Sequence, residues 1–381
     1  MWPHLPFHLT TAFFAGSSIV ALWQMRIVTR LPRLAELPEP HKVKLCSVII
    51  AARDEEHRVE ATLRHLFAQQ GVALEIIVVD DRSGDGTGTI LHKLAEEDSR
   101  LRLERVEVLP DGWLGKCHAC HIGAQAASGD WILFTDADCW LKPDVIERAL
   151  RVAEREAADH VVMAAGTVLE NTIPRAWYLL FLTSLLGMFS GTNLDRARGY
   201  AGFGAFNLVR ASAYRECGGY EALRLTVVDD LKLGLLLSRA GKRTRAFFGG
   251  EDVECHWGST VRSLTKIFEK NYFAALDYRL FLVLTGSLFT LAVLGVLIAG
   301  LANGTTAGLV AGLSPLCLVL PGRIMARRMG WSWPEAFLMP WMFPAILYAV
   351  LNSTFRTLRQ GGIRWRDTFY PLAELRAKGV K

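Results

Sequence analysis

Charge is missing from several stretches of this chain, and two of them are longest. Residues 1–25 contain no Asp, Glu, Lys or Arg, and neither do the 43 positions from Leu280 to Gly322. A helix crossing a bilayer needs ~20 apolar residues. The first stretch is therefore long enough for one span and the second for two. The first has neither the basic start nor the small-residue cleavage site of a secretory leader, so it reads as an anchor that is kept. A disulfide framework is missing too: seven cysteines, an odd number, are scattered without regular spacing, which suits reduced thiols. The net charge of +5 comes with no dense basic cluster, so no nucleic-acid partner is expected. With 51% hydrophobic residues, disorder is excluded as the main state.

The charges that flank these stretches set an orientation. Arg26, Arg30 and Arg33 follow the first, and Arg323, Arg327 and Arg328 follow the second. Positive residues stay on the cytoplasmic side, which puts the N-terminus outside and the domain after it in the cytoplasm. Asn303-Gly304-Thr305-Thr306 is the expected turn inside the second stretch. A last apolar stretch, 336–355, is interrupted by Pro340 and Pro344 and reads as kinked or re-entrant. The tail from Arg356 carries seven Lys or Arg against two acids, which prefers the cytoplasm, whereas a fourth full span would put it outside. The expected organisation is a membrane anchor over 1–26, a cytoplasmic domain over 27–279, a membrane region of two to three spans over 280–355 and a basic tail over 356–381. The uncharged segment 176–194 reads equally as a helix in the membrane interface or as a buried core helix.

Between residues 45 and 275 the pattern alternates. The β-branched run Leu45–Ala51 precedes a helical spacing of Val59, Leu63 and Leu66. Leu74–Val79, Leu101–Val108 and Asp130–Thr135 follow as strands, separated by helical segments. That alternation predicts an α/β fold built on a doubly wound sheet. Three of the strands run straight into acids: Ala52-Arg53-Asp54-Glu55, Asp80-Asp81 and Asp136-Ala137-Asp138. Each alone also reads as a helix cap or a turn residue. Together they collect at the carboxyl edge of an open sheet, where such folds bind ligands. Crowded carboxylates repel, and a divalent cation relieves the repulsion. Asp136 and Asp138, two apart on extended chain, suit a hard, oxygen-liganded ion.

SVIIAARDEE at 47–56, VVDDRSGDGT at 78–87, FTDADC at 134–139 and VVDDLKLGLLLSRAG at 227–241 resemble the family 2 glycosyltransferases, and GWLGKCHA at 112–119 and GGY at 218–220 fit as well. The membrane arrangement is similar to the lipid-directed branch with hopanoid- and carotenoid-associated members. The resemblance implies a GT-A fold, a mixed sheet with helices on both faces, with transmembrane helices at both ends of the chain. It implies an inverting transfer from a nucleotide sugar, a UDP-sugar being the expected donor, to a membrane lipid or polyisoprenoid. Ala52, Arg53, Glu55, Asp81 and Asp136 would bind the nucleotide sugar, Asp136 and Asp138 a Mg2+ or Mn2+, and Asp230 would act as general base with Asp229 beside it, a pair that also reads as a helix cap. Lys116, at a helix start, either binds the donor diphosphate or is a solvated lysine. Asp54 departs from the Asn of many members. Gln-x-x-Arg-Trp, the mark of processive polysaccharide synthases, is absent, which argues against a long polymer. A short-polysaccharide synthase subunit and a non-catalytic membrane scaffold are the alternative readings.

Three further features have plain readings beside functional ones. Cys117-His118-Ala119-Cys120-His121 spells the haem-attachment pattern, but haem attachment belongs outside the cytoplasm, so no haem is expected. Gly202–Asn207 either approaches the sugar or only turns. His256 and Trp257 either line the acceptor mouth or only pack.

Overall fold

The computed structural model describes residues 7–34, 44–189, 191–194, 199–258, 260–302 and 305–380. The chain divides into two compact units. One comprises Leu31–Val168, Met188–Trp257 and Ala373–Lys381; the other comprises Met1–Arg30, Leu169–Gly187 and Gly258–Leu372.

The first unit is built on an eight-stranded mixed sheet. Its strands are β1 (Leu45–Ala52), β2 (Ala73–Asp81), β3 (Leu101–Val106), β4 (Trp131–Phe134), β5 (Cys139–Leu141), β6 (His160–Thr167), β7 (Asn207–Arg210) and β8 (Thr244–Cys255), in the order β3-β2-β1-β4-β7-β6-β8-β5. β3, β2, β1 and β4 are mutually parallel, with helices Val59–Phe67, Thr87–Glu97 and Gly115–Ala126 as their crossovers. Strands covered on both faces read as unbroken apolar runs, and β1, β4 and β6 are buried almost throughout. β7 runs antiparallel to β4 and β6, and β5 antiparallel to β8. One polar pin crosses this buried centre. His160 Nε2–H donates to Asn207 Oδ1 on β7, while its Nδ1 pairs with Thr244 Oγ1 on β8 at 3.1 Å. Burial pushes the His160 pKa down to about 4, so the ring is neutral at physiological pH.

The parallel register puts the ligand edge in place. Ala52 lies opposite Asp80, Ile49 opposite Phe134, and Thr135 N donates to Ile49 O at 3.2 Å. The carboxyl ends of β1, β2 and β4 therefore share one edge.

Among the described residues, the second unit is helical apart from one antiparallel pair of short strands, Gly362–Trp365 and Thr368–Pro371. Three stretches of the described chain here are long and apolar enough to cross a membrane: Leu280–Ala302, Gly308–Arg328 and Trp333–Gln360; a fourth, Thr172–Leu194, runs from this unit into the other. The helix Phe7–Arg30 covers most of the anchor expected over 1–26. Its first six expected anchor residues lie outside the described residues, as do Asn303 and Gly304 of the expected turn. Pro340 and Pro344 mark a break: helix Trp333–Leu338 gives way to a 3-10 turn, Met339–Met342, before helix Phe343–Gln360. The helix Thr172–Phe189 buries Trp177 and Tyr178 completely, against Phe268 and Trp331. Arg175 Nη1 meets the buried Glu335 at 3.3 Å.

Candidate active site

Two loops at the sheet edge are stapled to each other before any ligand is considered. The Asp54 carboxylate accepts from Gly84 N at 2.9 Å, and Asp54 N donates to Ser83 Oγ at 3.1 Å. Asp80 Oδ1 accepts from Ser83 N at 3.0 Å, and Glu55 N donates to Thr87 Oγ1 at 2.8 Å. Asp54 and Arg82 both adopt left-handed backbone, φ 55° and 59°, a conformation costing ~1–3 kcal/mol for a residue with a side chain. The staples fix it. The Asp54 carboxylate that departs from the family pattern is thus spent on the loop after β2.

Asp81, at the end of β2, is 4% exposed. Arg82 grips it with two bonds, Nε to Oδ1 at 2.8 Å and Nη2 to Oδ2 at 3.2 Å, and Arg53 Nη1 stands 4.0 Å away. The first residue of the helix Gly115–Ala126 presses on this carboxylate: a Cβ on Gly115 would come within 2.3 Å of Asp81 Oδ2. Ala52 is fully buried and offers only backbone to the edge. Glu55 lies within 3.9 Å of Arg58.

Lys116 is the hub of the acidic cluster. Its Nζ donates to Asp136 Oδ1 at 2.7 Å and lies 3.7 Å from Asp229 Oδ2. Burial opposes the charge on this ammonium, but Asp136, Asp229 and Asp230 outweigh it and raise its pKa well above the usual lysine value. Lys116 is therefore a bound cation, not a solvated one. Asp229 is 3% exposed and also accepts from the buried Tyr220 hydroxyl at 2.9 Å. Asp230 opens the helix Asp229–Arg239 and accepts from Leu231 N at 2.8 Å. Burial, then the neighbouring Asp229, push the Asp230 carboxyl up to about 6. Burial, then Asp136 and Glu55, push Asp138 up to about 7.

The glycine-rich segment turns out to be a wedge against these acids. A Cβ on Gly202 would sit 1.9 Å from Asp230 O, and one on Gly204 2.5 Å from Asp136 Oδ2. Only hydrogen fits at either place, so the segment packs directly on the Asp136 carboxylate and on the backbone of Asp230. Oxygen or sulfur atoms of Asp136, Asp138 and Cys139 lie within 4.8 Å of one another, a set able to hold a metal ion. Two hard carboxylates fit a divalent cation here, and the raised Asp138 marks a site short of positive charge.

The structure thus brings Asp81, Lys116, Asp136, Asp138, Asp229 and Asp230 to one edge, with Arg53 and Glu55 on the adjoining loop. Sequence reasoning left Tyr220 without a role and did not pair Cys139 with Cys255. His256 packs on Trp140, ring centroids 3.4 Å apart, and Trp257 stacks on Phe203. Cys117 and Cys120 are buried, and His118 and His121 pack around Trp113.

Residues 47–218 match the family described as Glycosyl transferase family 2. The chain is 27% identical over 194 residues to the 4,4'-diaponeurosporenoate glycosyltransferase of Staphylococcus aureus strain USA300, a match covering 50% of each protein. It spans about half the length of the curated relatives it matches. Among solved structures, it is similar to a mannosyltransferase from Pyrobaculum calidifontis in complex with GDP-Man and Mn2+. The TM-score is 0.55 at 16% identity, over 93% of this chain and 98% of that one. The likeness shows a shared fold.

Proposed function

We propose that this chain, whose residues 47–218 form a glycosyl transferase family 2 domain, moves a sugar with inversion from a nucleotide sugar to a hydroxyl on a membrane-resident lipid or polyisoprenoid. The observation that carries the reading is Asp230: a half-buried carboxylate in the first turn of a helix, raised to about 6 by its surroundings and by Asp229. Such a group is ionised at neutral pH yet basic enough to take a proton from an acceptor hydroxyl. Asp229 stays fixed by Tyr220 and Lys116, and its charge maintains the basicity of its neighbour. In this reading Asp81, with Arg53 and Glu55 near it, would hold the nucleotide of the donor, and Asp136 would face its ribose and the metal.

Asp136 and Asp138 would hold a Mg2+ or Mn2+, which when bound supplies positive charge to the departing diphosphate. Lys116 contributes a second, covalently fixed positive charge at the same edge. Support for a lipid acceptor comes from the four apolar helices and from the S. aureus relative, named for its action on 4,4'-diaponeurosporenoate. The arginines after residues 25 and 322 support a multi-pass cell-membrane protein with residues 27–279 in the cytoplasm, where nucleotide sugars are made.

Asp230→Asn tests the reading. General-base loss costs ~10²–10⁴-fold in kcat, and nucleotide affinity, read by calorimetry, should change no more than a few-fold. A folded Asp230→Asn variant that turns over normally removes Asp230 as the base. Failure of the wild type to bind any nucleotide favours a scaffold instead.

A further inference from the structure

The last apolar stretch is long enough to cross a membrane, yet its two ends are held at one place. Trp177 and Tyr178 are neighbours on the helix Thr172–Phe189. Tyr178 packs edge-on against Trp331, just before the stretch Trp333–Gln360, with ring centroids 6.2 Å apart. Trp177 packs on Phe268 at 5.4 Å, and the residues after Phe268 bind the far end of that stretch. Glu269 accepts from Asn352 Nδ2 at 3.0 Å and from Arg356 Nη1 at 3.1 Å, and Phe273 N donates to Ser353 Oγ at 3.1 Å. A crossing helix has its ends ~30 Å apart, the thickness of the hydrocarbon core. Here the entry at Trp331 and the exit at Asn352–Arg356 are tied through two consecutive residues, ~1.5 Å apart along one helix axis. An ion pair marks each end, Arg175 with Glu335 and Arg356 with Glu269, and charged groups are expensive in the middle of a bilayer. The 3-10 turn Met339–Met342 is the turning point. From Phe343 to Ser353 the helix then rises only ~15 Å, half a hydrocarbon core.

The chain after this stretch returns to the first unit, to which Ala373–Lys381 belong. Leu375, on the short helix Leu372–Lys378, is buried, and Val380 N donates to Thr226 Oγ1 at 3.3 Å. Thr226 is itself buried and stands three residues before Asp229. Its carbonyl accepts from Cys117 Sγ at 3.4 Å, and Arg224 O accepts from Leu114 N at 2.7 Å. The loop that leads into Asp229 and Asp230 is thus held by the start of the helix that carries Lys116 and, separately, by the tail of the chain.

We propose that Trp333–Gln360 is a re-entrant segment that leaves the membrane on the face it entered, and that the tail after it is a positioning element of the active site, backing the loop Leu223–Val228. The spans Leu280–Ala302 and Gly308–Arg328 then form an out-and-back pair, and the tail lies on the same side of the membrane as the first unit. The excess of basic residues after Arg356, at odds with a fourth crossing, fits this path. The path of the chain stands without the reaction proposed above; the positioning role rests on that reading, in taking Asp229 and Asp230 as the catalytic pair.

The test uses the full chain, first in cells and then in detergent. Ala377, Ser99 and Thr306 are exposed, and Thr306 opens the helix that follows the expected turn. A membrane-impermeant maleimide should label Ala377→Cys and Ser99→Cys under the same condition and Thr306→Cys under the opposite one. Labelling of Ala377→Cys from the side opposite to Ser99→Cys overturns the proposal. Labelling of both in intact cells reverses the orientation proposed above and leaves this path standing. For the tail, deletion of residues 379–381 should lower kcat by ~10-fold or more, since a ~1 Å misplacement of a reacting group can cost ~100-fold. Nucleotide affinity by calorimetry should stay unchanged. Thr226→Val should reproduce the loss, and Thr226→Ser, which keeps the acceptor oxygen, should restore the rate. A truncated chain that turns over like the wild type overturns the positioning role. A wild type that binds no nucleotide and shows no turnover removes the reading above, while the labelling pattern still decides the path of the chain.

Discussion

The sharpest consequence of the acidic cluster is a pH limb that one neutral substitution should move. Asp229→Asn removes the charge beside Asp230 while keeping the shape and an acceptor oxygen for the Tyr220 hydroxyl. Two adjacent carboxylates ~5–7 Å apart repel by ~2–3 kcal/mol at an effective dielectric of ~20. The displacement of Asp230 from 3.8 to about 6 has burial as its larger cause and Asp229 as its second. Losing Asp229 therefore lowers the Asp230 pKa. Losing Asp229 also leaves Lys116 freer to stabilise the Asp230 carboxylate, which acts in the same direction. The acting base must be ionised, so wild-type kcat/KM should fall below pH about 6. In Asp229→Asn that acid limb should move to lower pH, and the plateau rate should drop a few-fold because the base is weaker. The assay is release of nucleoside diphosphate between pH 4.5 and 9. An acid limb that stays in place or moves up refutes the coupling. A variant with no activity at any pH makes Asp229 the base.

Three other outcomes follow from particular contacts. Gly115→Ala puts a Cβ 2.3 Å from Asp81 Oδ2; nucleotide affinity should fall ~10-fold or more, ~1.4 kcal/mol, with circular dichroism unchanged, and unaltered affinity would take Asp81 out of the donor site. His160 stays neutral in the fold down to about pH 4, whereas the unfolded chain protonates it below ~6.5. Its stabilising contribution is thus whole above pH ~6.5 and shrinks as pH falls, so the stability gap between wild type and His160→Gln should narrow by ~2 kcal/mol from pH 7 to pH 5; a constant gap in chemical denaturation contradicts the neutral pin. Ser99 is exposed, so in Ser99→Cys spheroplasts a membrane-impermeant maleimide should label this position only after permeabilisation; labelling of intact cells reverses the proposed orientation.

What the sequence determined by itself is local or periodic. β-branched runs of strand length, bounded by helical spacings, specify parallel units because both faces of such strands are buried. Once the strands are parallel, the acids that end them must share one edge, and so Asp81, Asp136 and Asp138 were legible before any coordinate. The charge-free stretches were legible for a similar reason, since lipid tolerates little but apolar side chains over ~20 residues. The tertiary structure decided every pairing that depends on register between distant segments. Lys116 meets Asp136 and Asp229 because a helix start, a strand end and a second helix start converge. Cys139 meets Cys255, 116 residues away, because β5 and β8 pair in that register and no other. The Gly202–Asn207 segment is a wedge because Asp136 and the Asp229–Arg239 helix lie on either side of it. Segment 176–194 reads as interfacial or buried from its composition alone, and only its neighbours Phe268 and Trp331 show that its aromatic face is covered. Periodicity states which face of an element is apolar; it carries no information about which distant surface will cover that face.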